Sequence, residues 1–116
     1  MSTENFLTVI LPGLKQRHPE LDIDVTESLL GNEDALTLKL LRVKDPNRRG
    51  NGLGTDFMRD FTACCDEAGL SIELEVIEND PENQARLENY YSRFDFVADD
   101  EGIMFRFPSP TYKPVL

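Results

Sequence analysis

One short stretch, RRGNGLG, contains two arginines and three of the seven glycines in the whole chain. The arginines are Arg48 and Arg49, and the glycines are Gly50, Gly52 and Gly54. Glycine lets another molecule approach the backbone closely, because no Cβ atom is in the way. The neighbouring arginines add positive charge. The stretch therefore suits a phosphate-bearing ligand, and the alternative is a simple turn around its Asn-Gly pair.

The two most familiar glycine-rich nucleotide loops do not fit this spacing. A P-loop requires Gly-Lys-Ser or Gly-Lys-Thr, which the stretch lacks. The dinucleotide fingerprint requires a third glycine at the position that Phe57 occupies. A phosphate site at the start of a helix remains possible, since the free N–H groups and the dipole there favour anions.

The segments on either side of the glycines predict the elements that such a site needs. Residues 35–44 form a long apolar run that predicts a central strand. After the glycines, Leu53, Phe57, Phe61 and Cys65 recur at helical spacing, and Gly69 then provides a helix stop. The loop thus connects a strand to the first turn of a helix.

The rest of the chain predicts a single α/β (α+β) domain with helices packed on a mixed sheet. Residues 1–108 form this domain, and residues 109–116 are an extended, proline-rich tail. The other predicted elements are a helix over 3–17 that Pro12 and Gly13 kink or divide, strands over 21–29, 71–77 and 103–107, a turn over 31–34, a polar loop over 79–83, and a helix from Pro81 to about Arg93.

Composition limits the class of function. With 22 acidic and 12 basic side chains, the formal net charge is −10, which argues against general binding to nucleic acid or to anionic membrane. The charge serves solubility, attraction to a basic partner surface, or mimicry of a nucleic acid. Adjacent Cys64 and Cys65 fit a reducing compartment as small buried side chains, and with one histidine no metal site is expected. We expect a cytoplasmic protein.

Three motifs in the same order resemble the GNAT superfamily of acyl-CoA-dependent N-acetyltransferases. The family's loop, Arg/Gln-x-x-Gly-x-Gly/Ala, matches the residues from Arg49 to Gly54. Its Leu-Glu-Val strand matches residues 74–76, and its Tyr-x-x-x-Gly-Phe motif keeps Tyr91 and Phe96. The matches span about residues 36–107. The resemblance implies a mostly antiparallel GNAT sheet and acetyl-CoA as the acyl donor.

The departures from the family pattern are also specific. Asp95 stands where the last motif usually has glycine. The N-terminal part is short, so we expect the opening strand and one of two early helices to be missing. This abbreviated form resembles small phage-encoded members of the family, which would act in the host cytoplasm.

The resemblance assigns roles to particular residues. Tyr91 is the implied general acid, and its alternative is a core aromatic beside Tyr90. Some members of the family use a Glu on the strand before the loop as the base, but LTLKLLRV has no carboxylate. Glu73 and Glu75 on the next strand, or a water chain, are therefore the candidate bases, although both carboxylates also suit the solvent side of a strand. The residues implied to hold CoA are Leu41, Arg42, Val43, Arg48, Arg49, Gly50, Asn51, Gly52, Leu53, Gly54 and Thr55.

The implied function is transfer of an acetyl group to a primary amine by direct attack. The acidic composition favours a cationic acceptor, such as a protein lysine, an N-terminus or a polyamine. The alternative is a catalytically silent, acidic GNAT-fold protein that engages a basic partner. A homodimer is left open.

Overall fold

The computed structural model describes residues 1–76 and 80–109. Helix α1 covers residues 3–17, and a short 3-10 turn lies in the loop after the second strand, at Pro46–Arg48. The other elements are β1 (Leu21–Glu27), β2 (Ala35–Val43), α2 (Leu53–Ala68), β3 (Ser71–Glu75), α3 (Pro81–Ser92), β4 (Val97–Ala98) and β5 (Ile103–Arg106).

The five strands form one sheet in the order β1-β2-β3-β5-β4. Only β2 and β3 pair in parallel among the described strands, and the other three pairings are antiparallel. The parallel pair is the one connected through α2, because parallel neighbours need a crossover. The predicted mixed, mostly antiparallel sheet is confirmed.

A bulge in β2 changes which of its side chains face the core. Asp24 pairs with Leu40 and Val25 with Leu38, so that the backbone of Lys39 is skipped in the register with β1. Leu38 is buried on the core side, and the extra residue moves the alternation by one position. Leu41 therefore packs against the core in place of Leu40, which is exposed.

The parallel strands β2 and β3 separate soon after they meet. Their pairing covers only Ala35 to Thr37 in β2 and ends where Thr37 meets Glu73. On its other edge β2 stays paired with β1 as far as Val43. The gap between residues 38–43 of β2 and 74–76 of β3 is called the splay below. It leaves backbone of β2 on that edge outside the sheet pairing.

The core lies between one face of the sheet and the layer of α1 and α2. The rings of Phe6 and Phe61 meet edge to face with centroids 6.1 Å apart, and Phe57 stacks on Phe61 at 5.3 Å. All three side chains are fully buried. The packing fixes α2 against the sheet, and with it the position of the glycine loop at its N-terminus.

Helix α1 remains continuous through Pro12. Its α-helical ends, Thr3–Asn5 and Leu11–Arg17, flank a π-helical segment, Phe6–Ile10. The N–H of Leu11 bonds to the carbonyl of Phe6, one residue further back than in an α-helix. The wider turn lies directly before the proline, which has no N–H to donate.

For most of the predicted elements, both ends lie within two residues of the ends in the structure. The strand predicted over residues 103–107 ends at Arg106, and the sequence reading missed the two-residue β4. Predictions that involve Ile77, Glu78, Asn79 and the tail over 110–116 lie outside the described residues. Among the helices of the described ranges, none is long and apolar enough to cross a bilayer.

Candidate functional site

A cleft of about 740 Å³ opens where the end of β2, the first turn of α2 and the length of α3 meet. Leu41, Arg42 and Val43 contribute its β2 wall, and Gly54 contributes the α2 wall. Tyr91 lies in the opposite wall on α3. The structure thus brings together five residues from three distant parts of the predicted site.

The glycine loop has a backbone conformation that suits glycine. Gly50 and Gly52 have φ angles of +85° and +80°, in the left-handed region where L side chains are strained. Gly52 is the N-cap of α2 and provides no side-chain hydrogen bond to the helix. The first intrahelical bond at this end joins the Asp56 N–H to the Gly52 carbonyl at 3.0 Å. The N–H groups of residues 53–55 precede it and have no acceptor within the helix.

Tyr90 lies over this helix start. Its hydroxyl is 3.2 Å from the Thr55 hydroxyl, within hydrogen-bonding distance. A Cβ atom added at Gly54 would lie 3.5 Å from the same hydroxyl and 3.9 Å from Leu41. A side chain longer than one methyl at position 54 would therefore project into the cleft between α2 and α3.

Arginines surround the cleft in a chain that is acidic overall. Arg86 and Arg93 of α3 line it together with Arg42. Arg42 also forms an ion pair with Asp22 at 2.7 Å, which holds its guanidinium beside β1. Among the described residues, Glu82 is the one carboxylate in the lining, so the three arginines leave the lining positively charged, as a phosphate-bearing ligand requires.

Tyr91 is partly buried and packs among other rings. Its ring centroid lies 5.1 Å from that of Tyr90 and 5.8 Å from that of Phe96. Burial, with a smaller contribution from Tyr90, raises the pKa of Tyr91 above its ordinary value of 10.0. Its phenol therefore keeps its proton at neutral pH, as a general acid must.

Glu73 lies outside the cleft and is only 2% exposed. Its carboxylate accepts hydrogen bonds from the Ser28 hydroxyl at 2.6 Å, from the Thr37 hydroxyl at 3.0 Å, and from the Asn32 side-chain amide. These bonds attach the β1–β2 loop to β3. The arrangement assigns Glu73 a clear structural task and gives it little freedom to accept a proton from a ligand.

Glu75 is exposed and borders the splay. It lines a cavity of about 280 Å³ with Leu29, Thr37, Leu38 and Lys39. This cavity, called the splay cavity below, shares no lining residue with the cleft that contains Tyr91. The two candidate bases thus have different surroundings, since Glu73 is buried and Glu75 is exposed.

Most of the loop residues of the predicted CoA site do not line the cleft. Gly54 alone of residues 48–55 is part of the lining, while Arg48 is 3.6 Å from Glu20 and leans towards β1. Arg86, Tyr90 and Arg93 were missed at the sequence level. Their spacing of four and then three residues, which places them on one face of a helix, was the signal that could have found them.

The backbone conformation at Asp95 explains how aspartate can stand where the family pattern has glycine. Among the described residues it is the one non-glycine residue with a positive φ, +69°. Glycine at this position would adopt the same conformation without strain. Aspartate is one of the few other residues that tolerate it. The turn after α3 is therefore preserved despite the substitution.

Comparison with known proteins supports the fold and nothing finer. No family model and no curated protein matches the sequence. A GNAT-family acetyltransferase from Desulfovibrio desulfuricans superposes with a TM-score of 0.60 at 17% identity, over 78% of this chain and 62% of that one. Ard1 from Thermoplasma volcanium superposes with a TM-score of 0.53 at 22% identity, over 86% and 78%.

The chain therefore has the GNAT acetyltransferase fold, as the motifs predicted. It spans less than two thirds of the Desulfovibrio protein, so that protein's activity is not carried over with the fold. Neither comparison lends support to the phage-type form.

Proposed function

We propose that this protein is an acetyl-CoA-dependent N-acetyltransferase that acts on a primary amine by direct attack. The observation that carries the proposal is the position of the glycine loop. It begins α2 at the mouth of a cleft of about 740 Å³, whose opposite wall contains a partly buried tyrosine with a raised pKa.

The residues present fit CoA. The N–H groups of residues 53–55 and the helix dipole suit a pyrophosphate, and Arg49, Arg86 and Arg93 add positive charge around it. The backbone of Leu41 to Val43 lies beyond the β2–β3 pairing, where the amide-bearing pantetheine arm can pair with it as an added strand. Acetyl-CoA supplies an activated thioester.

The protein's own contribution to the transfer is proton management. Tyr91 holds a proton at a phenol with a raised pKa and can donate it to a departing thiolate. Glu75, exposed at the splay cavity, can accept a proton from the incoming amine directly or through water. Glu73 positions the β1–β2 loop beside the same cavity.

A second candidate function is a catalytically silent GNAT-fold binding protein that engages a basic partner. The observation that favours it is the constrained position of Glu73, together with a β2 sequence, ALTLKLLRV, that has no carboxylate. The acetyltransferase and the silent binding protein are both compatible with binding of CoA or of a basic partner, but only the acetyltransferase predicts turnover.

Calorimetric titration and thermal shift with acetyl-CoA test the first candidate. We expect binding and a concentration-dependent rise in melting temperature. Arg49→Glu should abolish the shift by reversing a charge beside the loop, and Gly52→Glu should do so by straining the helix start. Arg59→Glu on the exposed side of α2 makes the same charge change elsewhere and should leave binding intact.

Release of free thiol from acetyl-CoA, with polylysine or spermidine as the amine, separates the candidates. Thiol release that requires the amine supports the acetyltransferase. Binding without release supports the silent protein. The absence of any shift at millimolar acetyl-CoA would reject CoA as the ligand.

A further inference from the structure

The sheet has a second face, called the open face below, on the side away from the buried core. Residues paired across strands point to the same side, and the register aligns Thr37 with Glu73, Glu73 with Phe105, and Phe105 with Val97. Val97 is 69% exposed, and Phe107, two residues after Phe105 on β5's continuation, is 75% exposed. In the part of the chain that the structure describes, these apolar side chains are left largely uncovered.

The open face contains a cavity of about 430 Å³ with two aromatic walls. Phe105 and Phe107 line it together with Glu33, Asp34 and the buried Glu73. Aromatic faces attract cations, and carboxylates pair with them. The chemistry of this aromatic–acidic cavity matches the aliphatic stem and charged end of a lysine or arginine side chain.

The aromatic–acidic cavity lies beside the splay cavity on the same run of β3. Glu75 borders one and Glu73 the other, while Ser71 lies at the far end of the second. Along a strand, alternate residues are about 7 Å apart and residues four apart are about 13 Å apart. An extended polypeptide has the same repeat, so side chains two to four residues apart can reach both cavities.

The charges and apolar groups of the open face favour one occupant. A second copy of this chain would bring another net charge of −10 against these carboxylates. A polyamine would satisfy the carboxylates but leave Val97, Phe107 and Leu29 exposed to water. A basic polypeptide that also contains apolar residues satisfies both, although Lys39 at the splay cavity must remain paired with Asp24, 3.8 Å away.

We propose that the open face docks an extended, basic and partly apolar polypeptide segment. Its acceptor lysine enters the splay cavity beside Glu75, and a second cationic side chain two to four residues away occupies the cavity between Phe105 and Phe107. The acceptor role of the first lysine depends on the proposed acetyltransferase function. The docking itself does not.

Fluorescence anisotropy with the full chain and a labelled peptide tests the docking without acetyl-CoA. The probe is a capped nonapeptide of leucine, valine and glycine with two lysines separated by one residue. We expect saturable binding that weakens at least tenfold when both lysines become norleucine or when the protein carries Phe107→Ser. Neutralising Glu33 and Asp34 together, as Glu33→Gln and Asp34→Asn, should weaken it similarly and reduce its salt dependence.

Matched changes on the helical side provide the controls. Val9→Ser removes an equally exposed apolar side chain on α1, and Glu67→Gln removes an exposed carboxylate on α2. Both should bind the probe as the native chain does, and circular dichroism verifies the fold of every variant. Equal binding by all variants, no binding, or a dimer in sedimentation that Phe107→Ser abolishes would each overturn the proposal.

The same peptide distinguishes this proposal from the proposed function. Incubation with acetyl-CoA followed by mass spectrometry reports transfer to a lysine. Peptide binding that depends on Phe107, without transfer and without an acetyl-CoA thermal shift, supports the docking surface and rejects the acetyltransferase. Transfer to spermidine with no peptide binding does the reverse.

Discussion

Two adjacent tyrosines on α3 have different surroundings and therefore different uses. Tyr90 reaches α2, where its hydroxyl lies 3.2 Å from that of Thr55. Tyr91 packs on Phe96 and lines the cleft with a pKa raised by burial. Adjacent positions on a helix point about 100° apart, so the two tyrosines must face different neighbours. The sequence alone does not say which of them faces a ligand.

Replacing Tyr91 by phenylalanine should slow acetyl transfer and leave acetyl-CoA binding nearly unchanged. Loss of a general acid costs about 100-fold or more in kcat, while the ring and its packing remain. Tyr90→Phe should instead raise KM for acetyl-CoA, since it removes the hydroxyl beside the α2 start. Steady-state kinetics of both variants with polylysine as acceptor measure the difference. Equal kcat in Tyr91→Phe and the native protein would remove Tyr91 from the mechanism.

The pH dependence of kcat provides a second test of Tyr91. A general acid is active while protonated, so activity falls as the pH rises through its pKa. Because burial raises the pKa of Tyr91 above 10.0, the alkaline decline should lie above pH 10. The decline should disappear in Tyr91→Phe. A decline centred below the ordinary tyrosine value would point to a different acid.

At the scale of elements, the predicted parts were those with long periodic patterns. The spacing of Phe57, Phe61 and Cys65 predicted α2, and all three are buried. The two residues of β4 form a strand only because β5 pairs with them, and so local sequence could not indicate them. The bulge at Lys39 was equally hidden, because it depends on the register with β1.

The candidate site was predictable where it depends on one segment. Gly50 and Gly52 carried their own signal, since the positive φ that both adopt favours glycine. Two partners of Glu73, Ser28 and Asn32, come from a loop more than 40 residues earlier, the third is Thr37 of β2, and no spacing rule connects them. For this reason the sequence offered Glu73 and Glu75 as equals, and the structure distinguishes them.

The turn between α3 and β4 should tolerate glycine at position 95 and resist a β-branched residue. Asp95→Val places a branched side chain at a φ of +69°, which should lower the free energy of unfolding by about 1–2 kcal/mol. Asp95→Gly should be neutral or slightly stabilising. Urea unfolding measures both, with Asp100→Val as the same change at an exposed position without positive φ. Equal losses in the two valine variants would contradict a conformational role.

At the scale of the whole molecule, one buried ion pair connects three regions. Arg106 of β5 donates to Asp66 of α2 at 2.7 and 3.0 Å and to the Phe94 carbonyl after α3 at 2.7 Å. Only 5% of the Arg106 side chain is exposed. Burial alone would raise the pKa of Asp66, but the hydrogen bonds from Arg106 and from the Ser109 N–H outweigh it and lower that pKa.

Breaking this pair should destabilise the fold strongly at neutral pH and less in acid. Arg106→Met leaves Asp66 charged and half-enclosed, which should cost about 3–5 kcal/mol of unfolding free energy. The pKa of Asp66 is lower in the folded protein than in the unfolded chain. Its contribution to the free energy of unfolding is therefore complete above the unfolded-state pKa of about 3.9, and it is lost as the pH falls through the folded-state pKa. The difference between variant and native protein should therefore shrink below pH 4.

Urea unfolding at pH 7 and pH 3 measures the effect. Arg59→Met on the exposed side of α2 is the control for loss of an arginine. Adding Asp66→Asn to Arg106→Met should recover part of the loss, since no uncompensated charge then remains. A pH-independent loss, unchanged by the second substitution, would indicate that packing rather than the charge pair is responsible.

The distribution of charge over the molecule is uneven, and it predicts how ionic strength acts on the cofactor. Six of the 12 basic side chains fall in residues 42–49 and 86–93, and three of them, Arg42, Arg86 and Arg93, line the cleft, although the chain as a whole carries −10. Attraction between exposed charges is largely screened beyond about 10 Å at 0.1 M salt, and at shorter distances as the salt concentration rises. Acetyl-CoA should therefore bind more weakly as salt rises.

Arg86→Glu or Arg93→Glu should weaken binding about tenfold at low salt, with each reversal removing one favourable and adding one unfavourable interaction of about 0.5–1 kcal/mol. The loss should diminish at high salt, whereas Arg59→Glu should have little effect at either. Calorimetric titrations at two salt concentrations measure this, and salt-independent binding in all three variants would show that the backbone loop, without the arginines, determines affinity.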